Sequence, residues 1–155
     1  METYAFAFET PLCVLTAVET CGALTALRFG GTVTGEAAPT PLLLETQKQL
    51  LEYFAGERRK FTVPLAPDGT PFQKTVWEAL LTIPYGETGS YGEIAKRIGN
   101  EKAARAVGMA NNRNPIPIII PCHRVVGASG ALTGYAGGIS LKEKLLLLEK
   151  TGVKM

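Results

Sequence analysis

The chain has 155 residues, 46% hydrophobic and 19% charged, with a formal net charge of +2, which suits one domain or two small ones sharing a core. That apolar fraction excludes a disordered chain, and the longest apolar runs, at 116–120 and 145–148, fall far short of the roughly 20 residues a membrane helix needs. The opening METYAFAFET carries acids where a secretory signal needs a basic stretch, so a cytoplasmic protein without membrane contact is expected.

In chain order, residues 4–8, 12–18 and 23–29 alternate as strands, with Gly22 supporting a tight turn between the second and third. After a loop with Gly30, Gly31, Gly35 and Pro39, Thr40 is a candidate N-cap with Pro41 at N1. Leu43, Leu44, Gln47, Leu50, Leu51 and Phe54 then keep a helical period until Gly56. Residues 61–65 suggest an edge strand, because Pro64 cannot donate to a ladder. The spacing therefore predicts a small α/β unit over 1–66, closed by the turn-rich PDGTP at 67–71.

From 67 to 155 the pattern is helical. Thr70 and Pro71 start a helix through Phe72, Val76, Trp77, Leu80 and Leu81 that stops at Pro84 and Gly86. Ser90 with Glu93 reads as a capping box for a short helix ended by Gly99. Asn100 then caps a helix over 101–111 with Ala103, Ala106, Val107 and Ala110 inward and Lys102, Arg105 and Met109 outward. Two short helices across a tight turn form a helix-turn-helix. Between 111 and 126, three prolines in seven residues exclude helix and predict a buried, extended segment ending at Cys122 and His123. An amphipathic helix over 141–150 offers Leu145, Leu146 and Leu148 to the core.

Charge is uneven along this order. Residues 1–90 carry 6 basic and 10 acidic side chains, whereas 91–125 carry 6 and 2. A basic centre beside an acidic half is the footprint of a polyanion-binding protein, and equally of an ordinary solvated face. Three cysteines (Cys13, Cys21, Cys122) cannot all pair, so reduced thiols are expected. With one histidine adjacent to one of them, they do not make a four-ligand zinc site, and neither metal nor cofactor is expected. Cys122 and His123 by themselves admit two readings: packed core residues, or a nucleophile and a base. Side by side on an extended chain they would point apart, so a direct dyad is disfavoured, while an imidazole acting through water and oriented by a carboxylate could lower the thiol's effective pKa.

Pro121-Cys122-His123-Arg124-Val125 resembles the signature of the O6-alkylguanine–DNA alkyltransferases, also called methylated-DNA–protein-cysteine methyltransferases. Ser90-Tyr91-Gly92-Glu93-Ile94-Ala95, Ala103-Ala104-Arg105-Ala106-Val107-Gly108, Asn114-Pro115, and Gly134-Tyr135-Ala136-Gly137-Gly138 with Lys142-Glu143 and Leu146 follow that family's order and spacing. The resemblance covers about residues 70–150. It implies an RNase H-like N-terminal unit and a mainly α, winged helix-turn-helix-like C-terminal domain.

The activity implied is direct, irreversible transfer of an alkyl group from O6-alkylguanine, and by the same chemistry O4-alkylthymine, in double-stranded DNA to Cys122. The protein would be a monomer approaching through the minor groove and flipping the nucleotide out. His123 would take the thiol proton through water, Glu149 would orient the imidazole, Asn114 would position the segment, and Tyr91 would stabilise the departing base. Arg105 would fill the vacated stack, with Asn100, Tyr91, Gly92 and Arg113 also on DNA. Pro117, Val125, Tyr135 and Ala136 would line the base pocket. Two other classes remain to be weighed: a lesion-binding helix-turn-helix protein without chemistry, which needs no thiol, and a Cys-His hydrolase.

Overall fold

The structure is a computed structural model that describes residues 2–32, 39–132, 134–135 and 137–155. Strands β1 (Thr3–Glu9), β2 (Val14–Thr20) and β3 (Ala23–Phe29) form an antiparallel meander in that order. The β2–β3 turn holds both Cys21 and Gly22 at positive φ, 53° and 79°, the geometry that matches strand twist in a two-residue hairpin. Helix α1 (Pro41–Phe54) begins as expected, with Thr40 Oγ1 accepting from the Leu43 N–H. It ends in a Schellman motif: Gly56, at φ 76°, donates to Tyr53 O at 3.1 Å and Glu57 to Glu52 O at 2.9 Å. Leu43, Leu50, Tyr53 and Phe54 of α1 are fully buried in the core that the sheet shares.

The expected edge strand over 61–65 does not form; only a bridge between Leu24 and Leu65 remains. The side chain of Gln49, from α1, takes the Thr62 N–H at 2.9 Å and donates to Thr62 Oγ1 at 2.7 Å. A side chain thus occupies the backbone donor that a strand would have needed.

Helix α2 (Pro71–Leu80) starts with a complete capping box between Thr70 and Gln73. Then come β4 (Gly89–Ser90), α3 (Tyr91–Arg97), α4 (Ala104–Asn112), β5 (Val125–Val126) and α5 (Ile139–Thr151). Ser90 caps α3 through the Glu93 N–H. Asn100 does not cap α4. Its N–H closes the end of α3 by donating to Ala95 O at 2.9 Å, its carbonyl takes the Ala103 N–H, and α4 starts from Ala103 without a side-chain cap. Because the helix begins three residues later than expected, Ala103 precedes it; Ala106 is exposed, and the buried face is Val107, Ala110 and Asn111.

The run 114–124 is largely buried, but it is not extended. Ile119 donates to Pro117 O at 2.8 Å and Cys122 to Ile120 O at 2.7 Å, two successive three-residue turns. The first is centred on Ile118 at φ 72°, a strained position for a β-branched residue. The second is centred on Pro121 at φ −80°, ψ 62°, and leads into a single 3-10 turn, Cys122–Arg124. The prolines exclude helix, as expected, but the chain folds back on itself because the apolar run gains more by burial than an extended path would allow. One hydrophobic cluster runs from Phe8 and Leu15 of the sheet through Trp77 to Leu145 and Leu148. Among the described residues no helix is long and apolar enough to cross a membrane.

Candidate active site

Cys122 is 4% exposed, at the mouth of the Pro121 turn. Asn114 staples the turn that carries it: Asn114 Nδ2 donates to Ile120 O at 2.8 Å, the oxygen that also accepts the Cys122 N–H, and Asn114 Oδ1 accepts from Ile116 N at 3.0 Å. Two parallel ladder pairs, Gly89 with Val125 and Ser90 with Val126, tie this turn to the start of α3 and therefore to Tyr91. The Tyr91 ring lies over Gly108, where an added Cβ would meet it at 3.7 Å. Helices α3 and α4 thus pack with Gly108 facing the Tyr91 ring, where a methyl group would make an ordinary contact.

Behind Cys122, His123 is fully buried and its Nε2 lies 2.6 Å from Glu149 Oε2. Arg124 grips the same carboxylate through Nε (2.8 Å to Oε1) and Nη2 (3.1 Å to Oε2), while its Nη1 donates to Ile83 O at 2.7 Å. Tyr53 Oη donates to Glu149 Oε2 at 2.5 Å, and the Gly86 N–H to Oε1 at 3.2 Å. Lys142, buried on α5, donates through Nζ to Val125 O at 2.6 Å.

Electrostatics follow from this burial. Burial alone would push the Glu149 carboxyl up, but His123 and then Arg124 more than reverse it, leaving the carboxyl at about 2. It is a carboxylate at neutral pH and can only accept. His123 Nε2 therefore carries its proton, and Nδ1 is left as a base; that atom is buried with no partner among the described residues. Burial also lowers the His123 pKa below 6.5, against the opposing pull of Glu149, so the ring rests neutral. The Cys122 thiol is pushed up by burial to about 11, despite the lowering contributed by Asn114, Lys142 and Tyr135. The resting nucleophile is therefore a thiol with a raised pKa. Tyr135 acts on it through proximity, since its buried hydroxyl makes no bond of full hydrogen-bond geometry among the described residues.

The structure thus gathers Cys122, His123, Glu149, Asn114 and Tyr135; Val125 and Pro117 are buried as well. Gly92 on α3, Asn100 in the turn after it, Arg105 on α4 and Arg113 at its end stand exposed, and Tyr91 is half-buried. Ala136 lies outside the described residues. Sequence reasoning missed Tyr53, Arg124, Lys142 and Asn111, whose Nδ2 reaches Cys122 O at 3.4 Å. Arg124 and Lys142 sit inside the quoted motifs and could have been asked for partners. Tyr53, 96 residues from Glu149, gives no local signal beyond its place on a helix face.

Residues 71–151 match the family described as the DNA-binding domain of 6-O-methylguanine DNA methyltransferase. A methylated-DNA–protein-cysteine methyltransferase of Methanosarcina acetivorans is 69% identical over 105 residues, 68% of this chain and 67% of that protein. The constitutive one of Bacillus subtilis is 55% identical over 120 residues, 77% and 73% of the two chains. The crystal structure of Mycobacterium tuberculosis O6-methylguanine methyltransferase superposes with a TM-score of 0.87 at 50% identity, covering 98% of this chain and 95% of that one. A Mycobacterium tuberculosis structure in complex with DNA gives 0.88 at 51%, covering 97% and 94%.

Proposed function

This chain belongs to the O6-methylguanine-DNA methyltransferase family, and from that premise we propose how its own residues perform the reaction. The protein repairs DNA by moving an alkyl group from O6-alkylguanine to itself, a reading supported by relatives named methylated-DNA–protein-cysteine methyltransferase and O6-methylguanine methyltransferase. The observation that carries the residue assignment is the buried line from Cys122 through His123 to Glu149, closed by Arg124. Cys122 is the nucleophile. His123 Nδ1, the ring nitrogen turned away from Glu149, takes the thiol proton through a water, and the Glu149 carboxylate stabilises the imidazolium that forms. The sulfur–carbon bond forms as the carbon–O6 bond breaks. The guanine leaves with the electron pair and regains a proton, with Tyr91 donating at N3. A thiol held at about 11 stays protonated until substrate fills the site, which protects it from stray electrophiles.

Because Cys122 is buried, the damaged nucleotide has to leave the stack to reach it, at a cost of a few kcal/mol. We assign that step to α4, which exposes Arg105 and Ala106 beside the half-buried Ala104 and Gly108. Small residues let the helix enter the minor groove closely, and Arg105 fills the gap left by the base. Asn100, Gly92 and Arg113 contact the backbone; Asn100 does so from the turn rather than as a helix cap. Pro117, Val125, Tyr135 and Ala136 form the base pocket. In this reading residues 1–66 are an RNase H-like domain, residues 67–155 a winged helix-turn-helix-like one, and the protein acts as a cytoplasmic monomer. It reacts with O4-alkylthymine by the same displacement.

Arg105→Ala is the experiment. It is expected to slow repair of methylated duplex about tenfold, the rate equivalent of losing part of the extrusion energy, while reaction with a free O6-alkylguanine base is unchanged. Single-turnover rates on the two substrates decide it, and equal losses on both would remove Arg105 from the extrusion step.

A further inference from the structure

Tyr53 belongs to α1, in the part of the chain remote from the cysteine motif, yet its hydroxyl ends on Glu149 Oε2, the oxygen that also holds His123 Nε2. We propose that Tyr53 is a positioning residue that tempers the basicity of His123 by sharing this carboxylate oxygen with it. The inference rests on the proton relay described above.

A carboxylate oxygen offers about two lone-pair sites. Glu149 Oε2 receives three donors: Tyr53 Oη at 2.5 Å, His123 Nε2 at 2.6 Å and Arg124 Nη2 at 3.1 Å. Oε1 receives Arg124 Nε and the Gly86 N–H. The donors on Oε2 compete, and each draws off charge that would otherwise stabilise an imidazolium.

The packing role of Tyr53 is separable from its hydroxyl. Its ring is wholly buried against Phe54, Phe61 and Tyr85, and a phenylalanine would make the same contacts. Removing the oxygen orphans nothing, because Glu149 Oε2 keeps His123 and Arg124. The other titratable or charged groups facing the pair are Arg124 from the Cys122 turn, Lys142 from α5, Tyr85 from the loop after α2, and Cys122 and Tyr135 on the thiol side. Tyr85 is itself flanked by Arg59 and Arg124. None of these changes partner when the Tyr53 hydroxyl is removed.

The chain has a single histidine, so the imidazole 15N signals of the full-length protein report His123 alone. Tyr53→Phe is expected to raise the pH at which His123 protonates by about one unit and to lower the apparent pKa of Cys122 toward a soluble alkylating agent. Glu149→Gln should do the reverse on both. A purely structural role would move the two variants in the same direction, so opposite signs are the signature. Site-specific 3-fluorotyrosine at position 53, a stronger donor in an otherwise unaltered fold, should lower the His123 midpoint. A midpoint that stays put or falls in Tyr53→Phe overturns the proposal. If Glu149→Gln moves the midpoint and the Tyr53 changes do not, only the role of Tyr53 fails. If Glu149→Gln also leaves it in place, the relay itself is wrong.

Discussion

Mixed with an excess of O6-methylguanine duplex, the protein is expected to take up one methyl group per molecule, on Cys122, and then stop. A thioether on Cys122 offers no leaving group comparable to guanine, and neither of the other thiols can take the methyl off. Cys21 lies exposed in the β2–β3 turn and Cys13 immediately before β2, and a thiol attacking the methyl would only trade one thioether for another. Intact-mass measurement should show a single 14-Da addition (the mass of CH2 gained on methylation), and peptide mapping should place it on Cys122 with Cys13 and Cys21 untouched. Cys122→Ser should abolish transfer altogether while retaining binding to methylated duplex, because the proposed recognition surface is α4 and the base pocket, not the thiol. The methylated protein should also be less stable by about 1–3 kcal/mol, the typical cost of adding a methylene to a close-packed site; paired urea melts measure this. Several turnovers per molecule, or a methyl on another residue, would refute the assignment.

Glu149→Ala carries the largest expected stability loss, about 3–5 kcal/mol, because it strands a buried guanidinium. Arg124 would keep its bond to Ile83 O but lose both bonds to the carboxylate, and Tyr53 and His123 would each lose a buried partner. Glu149→Gln should cost less, since its amide oxygen can still accept from one or two of these donors.

The same carboxylate sets an acid limit. Its folded pKa of about 2 lies below the ordinary 4.5, so the unfolded chain binds its proton more readily. The resulting stabilisation, roughly 3 kcal/mol, is complete above about pH 4.5 and lost as pH falls toward 2. His123 adds to the slope earlier. Its folded pKa is lowered below 6.5, so the unfolded state takes up protons first and stability begins to fall below about pH 6.5. In Glu149→Gln the loss between pH 4.5 and 2 should be largely absent. A wild-type profile as flat as the variant's across that window would contradict the buried carboxylate network.

Local order was legible in the sequence where it depends on neighbours. The three strands, the Thr40 and Thr70 caps and the Gly56 stop follow from alternation, oxygen-bearing caps and one glycine free to take positive φ. The two short helices α3 and α4 were legible too, except that Asn100 closes α3 instead of opening α4. A cap residue chooses between two nearby helices by where the chain turns, and Gly99 at φ 80° makes that turn one step before it. The strand expected over 61–65 failed for a longer-range reason, because Gln49 had already taken the Thr62 backbone donor.

Cys122, His123 and Glu149 could be proposed as nucleophile, base and orienting acid from the resemblance of the sequence to a family whose chemistry uses those side chains. Their protonation states could not. Whether the thiol rests near its ordinary value or at about 11, and whether the imidazole is neutral, depends on burial and on charges brought together from α1, the Cys122 turn and α5. Tyr53 and Glu149 meet across 96 residues of chain, and no periodicity encodes such a meeting. The sequence by itself determined which atoms can react; packing decided which of them hold protons, because desolvation and Coulomb terms depend on distance through space rather than along the chain.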